Sequence, residues 1–146
     1  MRTINYNEGL LSFIHKSAAA EVSAIPQVMQ LPQSRAMGQT LTRQLQEYRT
    51  ITAQAQQYAN ARGSTLPAPG LSSRALSAAA LRARTALDPS TSHLAEMMIR
   101  ERTAGSVQTA RKLHQYSSRT DLELQALGAR LLQAQEGDVR QMMQFL

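Results

Sequence analysis

Cysteine is missing from the 146 residues, and so is tryptophan. The first absence removes thiolate zinc sites, iron–sulfur clusters, disulfides and cysteine nucleophiles. Aromatic residues make up only 4% of the chain, and valine and isoleucine are few. Strands draw on those residue types, so a sheet is disfavoured. No segment approaches the roughly 18 consecutive apolar residues of a membrane span. The N-terminal stretch MRTINYNEGLLSFIHKSAAAEV lacks the long apolar run of a signal peptide. A phosphate-binding glycine loop is also missing. The expected location is therefore the cytoplasm.

What is present favours helices. Hydrophobic residues account for 42% of the chain, mostly alanine, leucine and methionine, and these join glutamine and arginine as good helix formers. The length fits one domain over residues 1–146, enough for a single core. The net charge is +6, which raises the class of basic modules that bind nucleic acid or anionic membranes. The arginines, however, are dispersed (Arg35, Arg43, Arg49, Arg62, Arg74, Arg82, Arg84). Dispersed charge reads as a solvated face, so neither nucleic acid nor a membrane is the expected partner.

Helical periodicity places the elements. Asn5 and Glu8 have capping-box spacing, and Leu11, Ile14, Ala18, Glu21, Ile25 and Val28 follow at intervals of three and four. Pro26 should kink or stop this helix, and Pro32 closes the segment. A second helix begins at Ser34, carries Met37, Leu41, Tyr48, Ile51, Ala55 and Tyr58 on one face, and ends at Gly63. Residues 71–87 read as a short alanine-rich helix. With Asp88 as cap and Pro89 in the first turn, a third helix spans about 89–116. Thr120 and Glu123 suggest a second capping box, opening a last helix over about 121–145 with Leu124, Leu127, Leu131, Ala134, Met142 and Phe145 on one face. The expected fold is all-α: a ferritin-like four-helix bundle with a short extra helix in the crossover between helices 2 and 3.

Such bundles can hold two metals between a glutamate from each of two helices and Glu-x-x-His from each of the others. Here Glu47 is followed three later by Thr50, and Glu136 by Val139, so neither makes the motif. His93 and Glu96 have the spacing once, in reverse order. Acids nevertheless fall on or near apolar rows: Glu21, Glu101 and Asp138. A buried unpaired carboxylate is costly, so each needs a partner. The expectation is that they lie at helix edges beside arginines. Glu21, His93, Glu96, Glu101 and Asp138 remain the candidates for an iron, manganese or zinc site. His15 and His114 read as surface or boundary residues, the methionines as core filling, and Gly105 as a close-packing position.

DPSTSHLAEMMIRERTAGSVQTARKLHQY, with LGARLLQAQEGDVRQMMQFL after it, resembles a group of uncharacterised small bacterial proteins with a ferritin-like helical fold. LQEYRTITAQAQ (45–56) resembles their second helix. The resemblance implies a fold and no activity, and its motif residues here would be Ser92, His93, Glu96, Met97 and Glu136. This chain departs from the group at RER (100–102), where uncharged residues are typical. The expected function is that of a non-enzymatic structural or interaction protein without a cofactor, forming a homo-oligomer, with a dimer favoured. A ferritin-type divalent-metal or redox protein with a degenerate site is the alternative, and a basic module for nucleic acid or anionic membranes is the third reading.

Overall fold

The computed structural model describes residues 5–66 and 90–146. They form four α-helices: α1 (Tyr6–Met29), α2 (Arg35–Ala61), α3 (Thr91–Tyr116) and α4 (Leu122–Met143). Among the described residues there is no strand. The helix expected over 71–87, together with Asp88 and Pro89, lies outside them.

Local chemistry explains most helix ends. Asn5 caps α1 by accepting the Glu8 N–H at 3.2 Å, and Ser34 caps α2 by accepting that of Met37 at 3.2 Å. The first helix runs through Pro26, which forgoes one ladder hydrogen bond, and ends one turn later at Met29. After α2, Gly63 takes a positive φ of 65°. There the Ser64 N–H reaches the Ala59 carbonyl at 2.9 Å and the Gly63 N–H that of Asn60 at 3.3 Å. This paired closure satisfies two orphan carbonyls, and glycine adopts the required backbone without a Cβ penalty.

Two expected starts need correction. Helix α3 is capped by Ser90, which accepts the His93 N–H at 3.1 Å, so it opens slightly later than the Asp88–Pro89 signal suggests. Helix α4 is not opened by a Thr120–Glu123 box. Its N-cap is Asp121, whose carboxylate is engaged across the bundle, while the Thr120 hydroxyl donates back to the Tyr116 carbonyl at 2.8 Å. Tertiary partners won over the local motif.

Contacts between helices give the topology. Along α1 and α3, Tyr6 meets Tyr116 and Glu21 meets Arg102, so these helices are antiparallel. Along α2 and α4, Gln44 meets Gln141 and Tyr58 meets Asp121, again antiparallel. Ser34 N–H donates to Thr91 Oγ1 at 3.2 Å, which places the starts of α2 and α3 at the same end. Helices α2 and α3 therefore run parallel. Each rises about 1.5 Å per residue, so Arg62, after α2, and Ser90, before α3, lie at opposite ends of the bundle.

The core follows the expected rows. Leu10, Ile14, Ala18 and Ile25 of α1 and Met37, Leu41, Ile51 and Ala55 of α2 are solvent-free or nearly so, as are Leu94 and Met98 of α3 and Leu124, Leu131 and Met142 of α4. Full burial of one such large side chain contributes about 1.5–3 kcal/mol before the entropy of ordering is counted. Glycines allow close approach where α4 meets α3. A Cβ on Gly128 would run into Leu113 Cδ2, and one on Gly105 would lie 3.0 Å from Gln135 Nε2. Gly105 is thus a close-packing position, as its place within a helix suggests.

Candidate functional site

Within this core, each of the four helices contributes one side chain to a polar cluster. Glu21 lies one turn before Ile25 in α1, and Tyr48 lies between Leu41 and Ile51 in α2. Arg102 follows Met98 by one turn in α3, and Asp138 precedes Met142 by one turn in α4. Residues three and four apart share a helix face, so helical repeat alone carries all four to the centre.

Arg102 is the hub, with 3% of its side chain exposed. Its Nε donates to Asp138 Oδ2 at 3.0 Å. The Tyr48 hydroxyl donates to the same oxygen at 2.6 Å. Arg102 Nη2 lies 2.6 Å from Glu21 Oε2, yet the approach misses hydrogen-bond alignment and leaves that oxygen buried without a hydrogen bond. The contact is thus an ion pair rather than an aligned fork. The guanidinium also lies 5.6 Å from the centroid of the Tyr48 ring. Glu101 contributes from the rim, with 3.9 Å between its Oε1 and Arg102 Nη1 and half its side chain in solvent.

Burial dominates the protonation chemistry. It pushes Glu21 up to about 7, against the pull of the Arg102 charge, while Glu101 and Asp138 push in the same upward direction. Burial also raises Asp138, opposed by Arg102 and by the Tyr48 hydrogen bond. The Tyr48 hydroxyl is raised, chiefly by burial, and stays a neutral donor. Desolvation works against the Arg102 charge, but the carboxyl groups of Glu21 and Asp138 outweigh it and the net shift is upward. A guanidinium does not give up its proton in such surroundings. The cluster therefore holds one permanent positive charge between two carboxylates.

The structure sorts the sequence candidates. Glu21 and Asp138 are brought together, but in the interior, which corrects the expectation that they sit at helix edges. The partner that makes their burial tolerable, Arg102, is itself in the core. Glu101 does lie at an edge. Glu96 is exposed and takes Arg100 Nη2 at 2.6 Å, one turn along the same helix. His93 belongs to the capped first turn of α3, about 13 Å of helix rise from Arg102. Ser92 and Glu136 are exposed and Met97 is half-buried, so none of them joins the cluster. Among the described residues, no group of three or more His, Asp or Glu side chains is placed to hold a metal ion. Replacing Glu96 with glutamine should accordingly change stability by less than about 0.5 kcal/mol, the scale of an exposed i,i+4 pair. A urea titration of the variant checks this.

A second polar arrangement joins α2 to α4 at the surface. Tyr58 OH donates to Asp121 Oδ2 at 2.5 Å, and the Arg62 guanidinium stacks 3.6 Å from the Tyr58 ring centroid. The Tyr58 hydrogen bond holds the Asp121 carboxyl below its ordinary range. Arg130 grips Glu47 with two hydrogen bonds, at 2.7 and 3.1 Å. Between these pairs opens a groove of about 580 Å³ lined by Gln57, Tyr58, Glu123, Leu127 and Arg130 among others.

Comparison of the chain with protein-family models, with curated proteins and with solved structures found no match.

Proposed function

We propose that this protein is a non-enzymatic, ferritin-like bundle, a cytoplasmic structural or interaction protein that works as a homo-oligomer and carries its own cation at the centre. The observation that carries the reading is Arg102, whose guanidinium lies against carboxylates from two other helices. That is the position from which a metal ion would have to displace it. The guanidinium is tethered to the chain and its charge is permanent, so an external ion competes against an effective concentration it does not match.

Three further features support the reading. The parallel α2 and α3, joined by a segment that starts and ends at opposite ends of the bundle, fit a ferritin-like crossover. The Tyr48, Arg102 and Asp138 side chains bond to one another in the interior, so their polar groups are not presented to a substrate. Beside the α2–α4 groove, Leu122 is 82% exposed. It stands one turn before Ala126 on α4, an apolar edge that a second copy would cover.

Elemental analysis of untagged protein, combined with native mass measurement, tests the proposal. The expected result is an oligomer with well under one metal per chain, whose melting temperature does not move with Fe²⁺, Mn²⁺ or Zn²⁺. Retention of one to two metals per chain would instead favour the ferritin-type metal protein, and a monomeric mass would remove the oligomer.

A further inference from the structure

The central cluster does not balance its charge. Two carboxyl groups from α1 and α4, Glu21 and Asp138, face the single guanidinium of Arg102, and among the described residues no second cation makes contact with them. The groups facing Glu21 are Arg102 and Glu101 from α3, Asp138 from α4 and Tyr48 from α2. Glu47 of α2 also bears on Asp138, though its own charge is paired with Arg130. With both buried acids ionised, the interior therefore carries a net negative charge in a poorly solvated space, which is costly.

The two acids are not equivalent. Asp138 Oδ2 accepts two hydrogen bonds, from Tyr48 and from Arg102 Nε, and both favour its ionised form. Glu21 Oε2 touches Arg102 without an aligned hydrogen bond and has no other donor. We propose that the bundle stores one proton on Glu21, where α1 meets the buried Arg102, so that folding takes up a proton and the fold weakens as that proton is lost. The proton comes from solvent, and no other reactant is needed.

The direction follows from linkage. An acid that holds its proton more tightly when folded stabilises the fold fully below its unfolded-state pKa and loses that contribution as pH rises through the folded value. For Glu21 the window runs from its ordinary value, near 4.5, to about 7. Stability arising from this group falls as pH rises across that window. This is opposite in sign to a salt-bridged carboxylate with a depressed pKa, such as Asp121.

The test compares wild type with Glu21→Gln, which resembles a permanently protonated glutamate, by urea unfolding at half-unit steps from pH 5 to 8. The folding equilibrium constant of wild type, divided by that of the variant, should fall by up to about tenfold per pH unit as pH rises towards 7, then level off once the proton is fully lost. A ratio that stays constant across the range overturns the proposal. Should Glu21→Gln fail to fold, a ¹³C titration of the Glu21 carboxyl in the wild-type protein decides instead. A midpoint well above the ordinary glutamate range is expected. A midpoint within or below that range, or a raised midpoint found at Asp138 in its place, overturns the assignment.

Discussion

Replacing Arg102 with leucine should cost about 3–5 kcal/mol of stability at pH 8, because two buried carboxylates lose their counter-charge at once. At roughly 3 °C per kcal/mol for a chain of this size, the melting temperature should drop on the order of 10 °C. The loss should be smaller at pH 5, where Glu21 and Asp138 can escape by taking up protons. It should also be largely reversed by adding Glu21→Gln and Asp138→Asn, since removing a whole buried ionic group is far milder than removing one member. Urea unfolding of the single and triple variants at both pH values measures all of this. A leucine variant as stable as wild type at pH 8 would mean that Arg102 does not hold the core together.

The second large effect belongs to Asp138. Its carboxylate accepts from both Tyr48 and Arg102, so Asp138→Leu strands two buried donors. Each stranded donor costs about 1–3 kcal/mol, so the two set a range of roughly 2–6 kcal/mol. The cost should fall in the lower part of that range, below that of Arg102→Leu, because Glu21 remains to neutralise the guanidinium. In the double variant Arg102→Leu/Asp138→Leu, the lone Glu21 can protonate. The combined loss should therefore fall short of the sum of the single losses by more than about 1 kcal/mol, which is the mark of residues acting as one network. Simple additivity in a double-mutant cycle would show that they act independently.

The helices and their buried rows were legible because three–four periodicity is a direct consequence of helix geometry, and the core obeys it at Ile14, Leu41, Leu94 and Leu131. The caps at Asn5 and Ser34 were legible for the same reason: each depends on neighbours within three residues. The opening of α4 was not, because Asp121 is held by Tyr58 from α2 and by Asn7, which bonds its backbone N–H. No local rule contains those partners.

The site was half legible. Glu21 and Asp138 stood out as acids on apolar rows, and the need for partners followed from the cost of burying charge. Arg102 is harder to read, because one arginine among many in a basic chain looks like surface. Its signal was positional: it continues the Leu94–Met98 row by one turn, as Asp138 continues Leu131 and Ala134 towards Met142. Tyr48 looked like an apolar core residue, and its ring is one. Only its hydroxyl, aimed at a carboxylate on another helix, gives it a second role, and that aim depends on how α2 sits against α4.

The most direct test of the buried cation is the exchange of the Arg102 Nε–H with solvent, followed by ¹H–¹⁵N spectroscopy of the wild-type protein near pH 7. A proton bonded to Asp138 Oδ2 at 3.0 Å and sealed beneath four helices should give a resolved signal. Its exchange should be slower by orders of magnitude than that of the exposed Arg100. The signal should also vanish in Arg102→Leu, which assigns it. An Arg102 Nε–H that exchanges as fast as those of the surface arginines would place the guanidinium in solvent and contradict the account.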